Sequence, residues 1–277
     1  RVMQNLSARI QEAVAGHGSL TLLTGEAGIG KTRCAEQLLL EASKLGMRTL
    51  SGRCPQEPGT PPLWPIASAL RRAQPDGTDL FARARGFFET LETSTESDAD
   101  RGAGPAGFRA IEQAATLLRD VAASRPTMLM LDDLHWADVS TLRLLAFLAP
   151  ELREIPLCVL ATVRDGAEVK GGAIEQVRRQ LLRHAQTVAL GPFDRDDVAA
   201  LVETASGRRP NAGLAEAIRR ASGGVPLFVQ EVVRTLELEH GANKFDALPP
   251  GAVRVPDLAR DLLRERVRRL PARTLEV

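Results

Sequence analysis

The sequence predicts an α/β fold on a parallel sheet, followed by a helical region. Three observations carry this. First, the apolar segment Leu20–Leu23 reads as a buried strand. It runs into Gly25-Glu26-Ala27-Gly28-Ile29-Gly30-Lys31-Thr32, of the form G-x-x-x-x-G-K-T, and a helix follows from Arg33 to Leu45. Strand, glycine loop and helix together are the context of a phosphate site. Second, Thr127-Met128-Leu129-Met130-Leu131-Asp132-Asp133 is an unbroken apolar run that ends in acids, as a central parallel strand buried on both faces does. Third, composition shifts at Gly191-Pro192, and from Asp194 onward only helical periods are found.

The elements follow in order. Val2, Leu6, Ile10 and Val14 recur every four residues and make one helical face, stopped by Gly16-His17-Gly18. The helix after the glycine loop ends at Gly46, and Met47–Arg53 reads as a second strand. Pro55, Pro58, Pro61, Pro62 and Pro65 force Cys54–Pro65 into an irregular loop. Ile66–Ala73 reads as a helical stub, residues 92–107 as a polar, acidic, glycine-rich mobile insertion, and Phe108–Ala123 as a helix. After the acid-ended strand comes an amphipathic helix, Ser140–Leu152. Pro156–Val163 is another buried strand, ending at Arg164-Asp165. A helix through Ile174, Val177, Leu181 and Leu182 leads to a fifth strand, Thr187–Leu190. Asp194 caps the first helix of the second region. A second helix spans Ala212–Ala221, Ser222-Gly223-Gly224-Val225-Pro226 interrupts, and a third runs Leu227–Leu238. Leu248-Pro249-Pro250-Gly251 reads as a linker and Pro256–Leu270 as a further, arginine-rich helix.

The motifs carry a specific chemistry. Glycines at 25, 28 and 30 let the main chain turn tightly and approach an anion. The loop amides then form a nest, and the next helix aims its positive end at the same point. Lys31 reaches β- and γ-phosphates, and the Thr32 hydroxyl is placed to hold Mg²⁺. Asp132, at the carboxyl end of a central strand, is expected to organise the same ion opposite Thr32. Asp133 is the candidate to orient or deprotonate an attacking water. The alternative for both acids is that they cap the helix starting near Asp138. Arg164, at a strand end, is a candidate reader of the γ-phosphate, or else half of a solvated pair with Asp165. His135 and Trp136 follow the acids directly and pack locally on this reading.

Composition narrows the classes. A net charge of +1 argues against a global basic field for nucleic acid or membrane. No apolar run is long enough to span a bilayer and no signal peptide is visible. Cys34, Cys54 and Cys158 are scattered, which points to a reducing cytoplasmic setting without a disulfide frame or zinc spacing. Cys34 sits in the first turn after the loop, where a thiol can be acidified, although packing is the expected role.

Taken together, the loop Gly25–Thr32, the box Asp132-Asp133-Leu134-His135-Trp136-Ala137-Asp138, Arg164 and the run Gly223-Gly224-Val225-Pro226-Leu227-Phe228 resemble the STAND branch of AAA-type ATPases. The nearest resemblance is to the ATPase modules of large bacterial LuxR-type regulators and of multidomain kinases and cyclases. It implies a P-loop NTPase of the AAA/ASCE type, with strand order 5-1-4-3-2, a helical lid and ATP or ADP between them. The implied division is a nucleotide-binding domain at 1–191, a lid at 192–247, and a linker with the start of a winged-helix domain at 248–277. Nucleotide would contact Gly25 to Arg33 (Gly25, Glu26, Ala27, Gly28, Ile29, Gly30, Lys31, Thr32 and Arg33) and, near the adenine, Pro226. Arg164 would sense the terminal phosphate. The family's usual Gly-Arg-Glu lead-in to the first helix is absent, and no arginine finger is identified. The expected role is a slow ATPase switch that controls effector domains of the same chain, with nucleotide-dependent self-association. The alternative is a DNA-handling ATPase of the origin- or helicase-loader kind. A small-molecule kinase fits less well, because no acceptor motif is found.

Overall fold

The computed structural model describes residues 2–57, 59–73, 80–93, 105–165, 172–241 and 248–253. Its first unit takes in Arg1–Glu26 and Lys31–Leu190. In chain order it holds α1 (Val2–Val14), β1 (Ser19–Gly25), α2 (Lys31–Lys44), β2 (Arg48–Arg53), α3 (Trp64–Arg72), α4 (Leu80–Thr93) and α5 (Pro105–Ser124). Then come β3 (Thr127–Asp132), α6 (Val139–Leu148), β4 (Leu157–Arg164), α7 (Gly172–Leu182) and β5 (Gln186–Ala189).

The five strands lie in the order β2-β3-β4-β1-β5, all pairs parallel. Read from the other edge this is the expected 5-1-4-3-2. Every residue of β3 is buried, so its side chains must be apolar on both faces until the strand ends. Alternation sorts those side chains between two cores. Leu129 and Leu131 join Leu20, Leu22, Val159 and Ala161 in one, beneath α3, α5 and α6. Met128 and Met130 join Leu23, Cys158 and Leu160 in the other, beneath α1 and α2. Truncating a fully buried Leu129 to alanine is expected to cost about 2–5 kcal/mol. Register places Gly25 beside Arg164 and Arg53 beside Asp132, so β1 ends level with β4 and β2 level with β3, with Asp132 opposite Thr162, two residues before the end of β4. That alignment gathers the polar residues.

Local signals explain most boundaries. α3 starts at Trp64, earlier than the expected stub, because Pro65 is compatible with a first helical turn. Its approach to the sheet requires Gly52, where a Cβ would stand 2.0 Å from the Pro65 carbonyl oxygen. α4 has no counterpart among the sequence-predicted elements, although the buried Ala84 and Phe88 carry the helical period. The supposed insertion at 92–107 is helical at both ends, since α4 runs to Thr93 and α5 starts at Pro105. Its centre, 94–104, lies outside the described residues. α6 stops at Leu148, short of the expected Leu152, and a 3₁₀ turn occupies Leu152–Glu154.

The second unit groups Ala27–Gly30 with the chain from Gly191 on. It holds α8 (Arg195–Ser206), α9 (Ala212–Ser222) and α10 (Pro226–His240). Their core is Val198, Val202, Leu214, Ile218, Val229, Val232, Val233, Leu236 and Leu248. Asp194 starts α8 with a reciprocal capping box shared with Asp197. Asn211 caps α9 through the Leu214 N–H. Gly223 ends α9 in the left-handed conformation, and Pro226 opens α10. The expected helix at Pro256–Leu270, and with it the winged-helix reading, lies outside the described residues.

Candidate functional site

The site forms where β1 hands over to α2. Gly28 and Gly30 adopt φ of +79° and +96°, which a side chain would strain. Nothing lies near a Cβ built on Gly30, so conformation alone demands the glycine there. Lys31 opens α2 and is only 9% exposed. Its Nζ donates to the carbonyl oxygens of Gly25 and Glu26, both at 2.8 Å. Burial pulls its pKa below the ordinary lysine value, opposed chiefly by Asp133 and Asp165. The side chain of Arg33 points to solvent, 84% exposed, and pairs loosely with Glu36 at 3.6 Å. Cys34 packs on the Met3 sulfur at 3.3 Å, and burial pushes its thiol up. Packing, the expected role, is what these contacts show.

The two acids are placed differently from one another. Asp132 is 7% exposed, and one carboxylate oxygen accepts hydroxyl hydrogens from Thr32 at 2.9 Å and Thr162 at 2.7 Å. Asp133 turns the chain with a left-handed φ of 58° and ψ of 45°, an uncommon conformation for a residue with a Cβ. Its N–H donates to the Thr162 hydroxyl at 2.8 Å, and its half-buried carboxylate meets Arg53 at 3.3 Å. Neither acid caps the next helix. Asp138 does so, accepting the Thr141 N–H at 2.9 Å and hydroxyl at 2.5 Å, and also the Leu63 N–H at 3.3 Å.

Arg164 ends β4, half-buried and level with Gly25. Its positive charge depresses the pKa of both Lys31 and His135. His135 lies on a 3₁₀ turn, Leu134–Trp136, with its ring 5.2 Å from that of Trp136. Its Nδ1 is buried without a hydrogen-bond partner among the described residues. Burial holds the ring's pKa below the usual histidine value. Pro226 lies in the first turn of α10, within the helical unit. A separate cavity of about 120 Å³ lies between the proline loop and Trp136–Asp138, and neither Lys31, Thr32 nor Asp132 lines it.

The donor set around Thr32 fits a hard cation. A hydroxyl and a carboxylate converge to 2.9 Å, and among the described residues no group of three or more His, Cys, Asp or Glu could hold a metal. One carboxylate, one hydroxyl and phosphate oxygens are what Mg²⁺ accepts, and they are too few for a dedicated protein cage. Two residues at this end escaped sequence reasoning. Arg53 ends an amphipathic strand, where an arginine is ordinary. Thr162 carried a readable sign: it is the one polar side chain in the apolar run Pro156–Val163.

Comparison with known proteins agrees with this geometry. A sequence model of the family described as AAA ATPase domain matches residues 1–160, more than half of the chain. An uncharacterised protein of Rhizobium meliloti (strain 1021) is 24% identical over 272 residues, covering 83% of this chain and 25% of that protein. The chain thus spans about a quarter of that relative's length. Among solved structures, the Aeropyrum pernix ORC2 protein (ADPNP–ADP complexes) superposes with a TM-score of 0.54 at 14% identity, over 95% of this chain and 66% of that one. The Aeropyrum pernix ORC1 protein in complex with DNA gives 0.52 at 16%, over 98% and 68%. A point mutant of Thermotoga maritima RuvB gives 0.51 at 15%, over 91% and 65%. At such identities the structures show a shared fold. By the match to its family model, this chain belongs to the AAA ATPase domain family and is a nucleotide-binding ATPase on the P-loop fold.

Proposed function

We propose that this chain is a STAND-type switch, which binds Mg·ATP or Mg·ADP and hydrolyses ATP slowly to control a larger regulatory, transcriptional protein. The observation that carries the reading is the 2.9 Å bond between Thr32 and Asp132, with Asp133 one residue further on. On this reading Lys31 exchanges the Gly25 and Glu26 carbonyls for β- and γ-phosphate oxygens. Thr32 and Asp132 hold the cation, which supplies charge neutralisation on the phosphates. Asp133 orients or deprotonates the attacking water once released from Arg53. Arg164 reads the terminal phosphate and Pro226 packs at the adenine. The loop Gly25 to Arg33 contributes main-chain amides, and Arg33 takes part through its backbone alone. The proposed partition is 1–191 for nucleotide, 192–247 for the lid, and 248–277 for the beginning of a winged helix.

A long-lived bound state suits a switch, because it must last long enough to be read. Single-turnover hydrolysis with this chain tests it: turnover below roughly 1 s⁻¹, the low edge of ordinary enzymes, is expected. Steady turnover of tens per second in the isolated chain would contradict it. The DNA-handling alternative predicts a salt-dependent shift of duplex DNA. A net charge of +1 weighs against that outcome. No described helix is long and apolar enough to cross a membrane.

A further inference from the structure

Thr162 stands on β4, the strand that separates the phosphate-loop strand β1 from the acid-ended strand β3. It pairs with Leu23 on β1, and the neighbouring ladder sets Ala161 beside Leu131, one residue before Asp132. Its side chain is fully buried. A hydroxyl has one hydrogen to give and lone pairs to accept with. Thr162 gives its hydrogen to the Asp132 carboxylate at 2.7 Å and accepts the Asp133 N–H at 2.8 Å. Both partners are distant in sequence, 30 and 29 residues away. The other buried threonines do otherwise. Thr127 bonds the carbonyl of Arg125, Thr141 bonds Asp138, and Thr21 on neighbouring β1 leaves its hydroxyl without a partner among the described residues. Among these, Thr162 alone bonds two separate groups on a neighbouring strand end, a side-chain carboxylate and a backbone N–H.

The bonds act on two unlike targets. On Asp132 the shared oxygen also accepts from Thr32, so Thr162 supplies a tether of that oxygen that is independent of the phosphate loop. On Asp133 the bond is to the backbone, at the residue forced into the left-handed region, and it helps to hold the turn that presents the carboxylate toward Arg53. We propose that Thr162 is a positioning residue that couples the two acids, so that one hydroxyl fixes the carboxylate facing the cation and the main chain carrying the base. This rests on the reading of Thr32 and Asp132 as a Mg²⁺ site. Serine can make both bonds, valine neither, and cysteine both weakly.

The test compares wild type with Thr162→Val and Thr162→Ser, using calorimetric ATP binding in chelator and in a Mg²⁺ series, and single-turnover hydrolysis. In Thr162→Val the Mg²⁺ concentration that gives half the gain in ATP affinity is expected to rise roughly 10–100-fold, as when an outer partner of a metal ligand is removed. Hydrolysis at saturating Mg²⁺ should fall as well, while ATP affinity in chelator stays at the wild-type value. Thr162→Ser should restore both. A valine variant with wild-type Mg²⁺ demand overturns the proposal, and so does a serine variant as impaired as valine. Should valine prevent folding, Thr162→Cys carries the test: a Mg²⁺ shift in the same direction supports it and no shift overturns it. A wild-type chain whose ATP affinity ignores Mg²⁺ would defeat the functional reading itself and is visible before any variant is made.

Discussion

The helical unit and the carboxyl end of the sheet use polar side chains in opposite ways. In the helical unit, Asp194 accepts the N–H groups of Asp196 and Asp197 at 2.9 and 2.8 Å, and Asn211 accepts that of Leu214 at 2.9 Å. Each of these capping partners lies within three residues, and the Asn211 Nδ2 adds a bond to the Leu248 carbonyl oxygen 37 residues away. At the sheet end, Thr32 reaches Asp132 across 100 residues, Arg53 reaches Asp133 across 80, and Leu63 reaches Asp138 across 75. Local bonds terminate helices and stabilise them. The long-range bonds bring a hydroxyl and two carboxylates to one place, which no helix needs. Two of these tertiary bonds converge on the adjacent acids Asp132 and Asp133.

That contrast can be broken by experiment. The largest effect is expected from Asp133→Asn, with turnover lower by roughly 10²–10⁴-fold as for a lost general base, and ATP affinity nearly unchanged. Unaltered turnover in a quenched single-turnover assay would remove Asp133 from the chemistry. Lys31→Ala should weaken ATP binding about 10–100-fold, the worth of a charged hydrogen-bonding partner at roughly 1.5–3 kcal/mol. Undiminished calorimetric binding would count against the phosphate loop. Asp194→Ala is expected to lower stability by about 1 kcal/mol in denaturant melts while sparing the Mg²⁺ dependence of binding, because its bonds are all local. A loss of that dependence would erase the distinction drawn above. The smallest effect concerns pH. Burial sets the folded pKa of His135 below its unfolded value of 6.5. Stability from the neutral ring is therefore fully present above pH 6.5 and lost as pH falls through the lower folded value. The drop in melting temperature between about pH 7 and about pH 5 should be shallower in His135→Gln, and an equal drop would show that the ring titrates freely.

The same contrast explains what could be read in advance. Glycine spacing, the apolar run of β3 and the cap Asp194 are local patterns, and each was legible. The strand order followed from family resemblance and not from periodicity. The left-handed turn at Asp133 and its ion pair with Arg53 were not legible, because each depends on the register of β2 and β4 against β3. Asp138 illustrates both cases. Its cap on α6 is a local signal, whereas its bond to the Leu63 N–H, which anchors the proline loop, is not. α4 was overlooked for a different reason: Gly86 interrupts the helical period of Ala84 and Phe88, and the stretch lies between Pro75 and an acidic segment.

On the proposed reading, Thr32 and Asp132 form the cation site of a triphosphate pocket. It is tested most directly by calorimetric ATP titration of wild type and Asp132→Ala, each with Mg²⁺ and with chelator. Mg²⁺ is expected to tighten ATP binding to wild type, and Asp132→Ala to lose this gain while keeping its affinity in chelator. An Asp132→Ala variant that retains the full Mg²⁺ gain would contradict it.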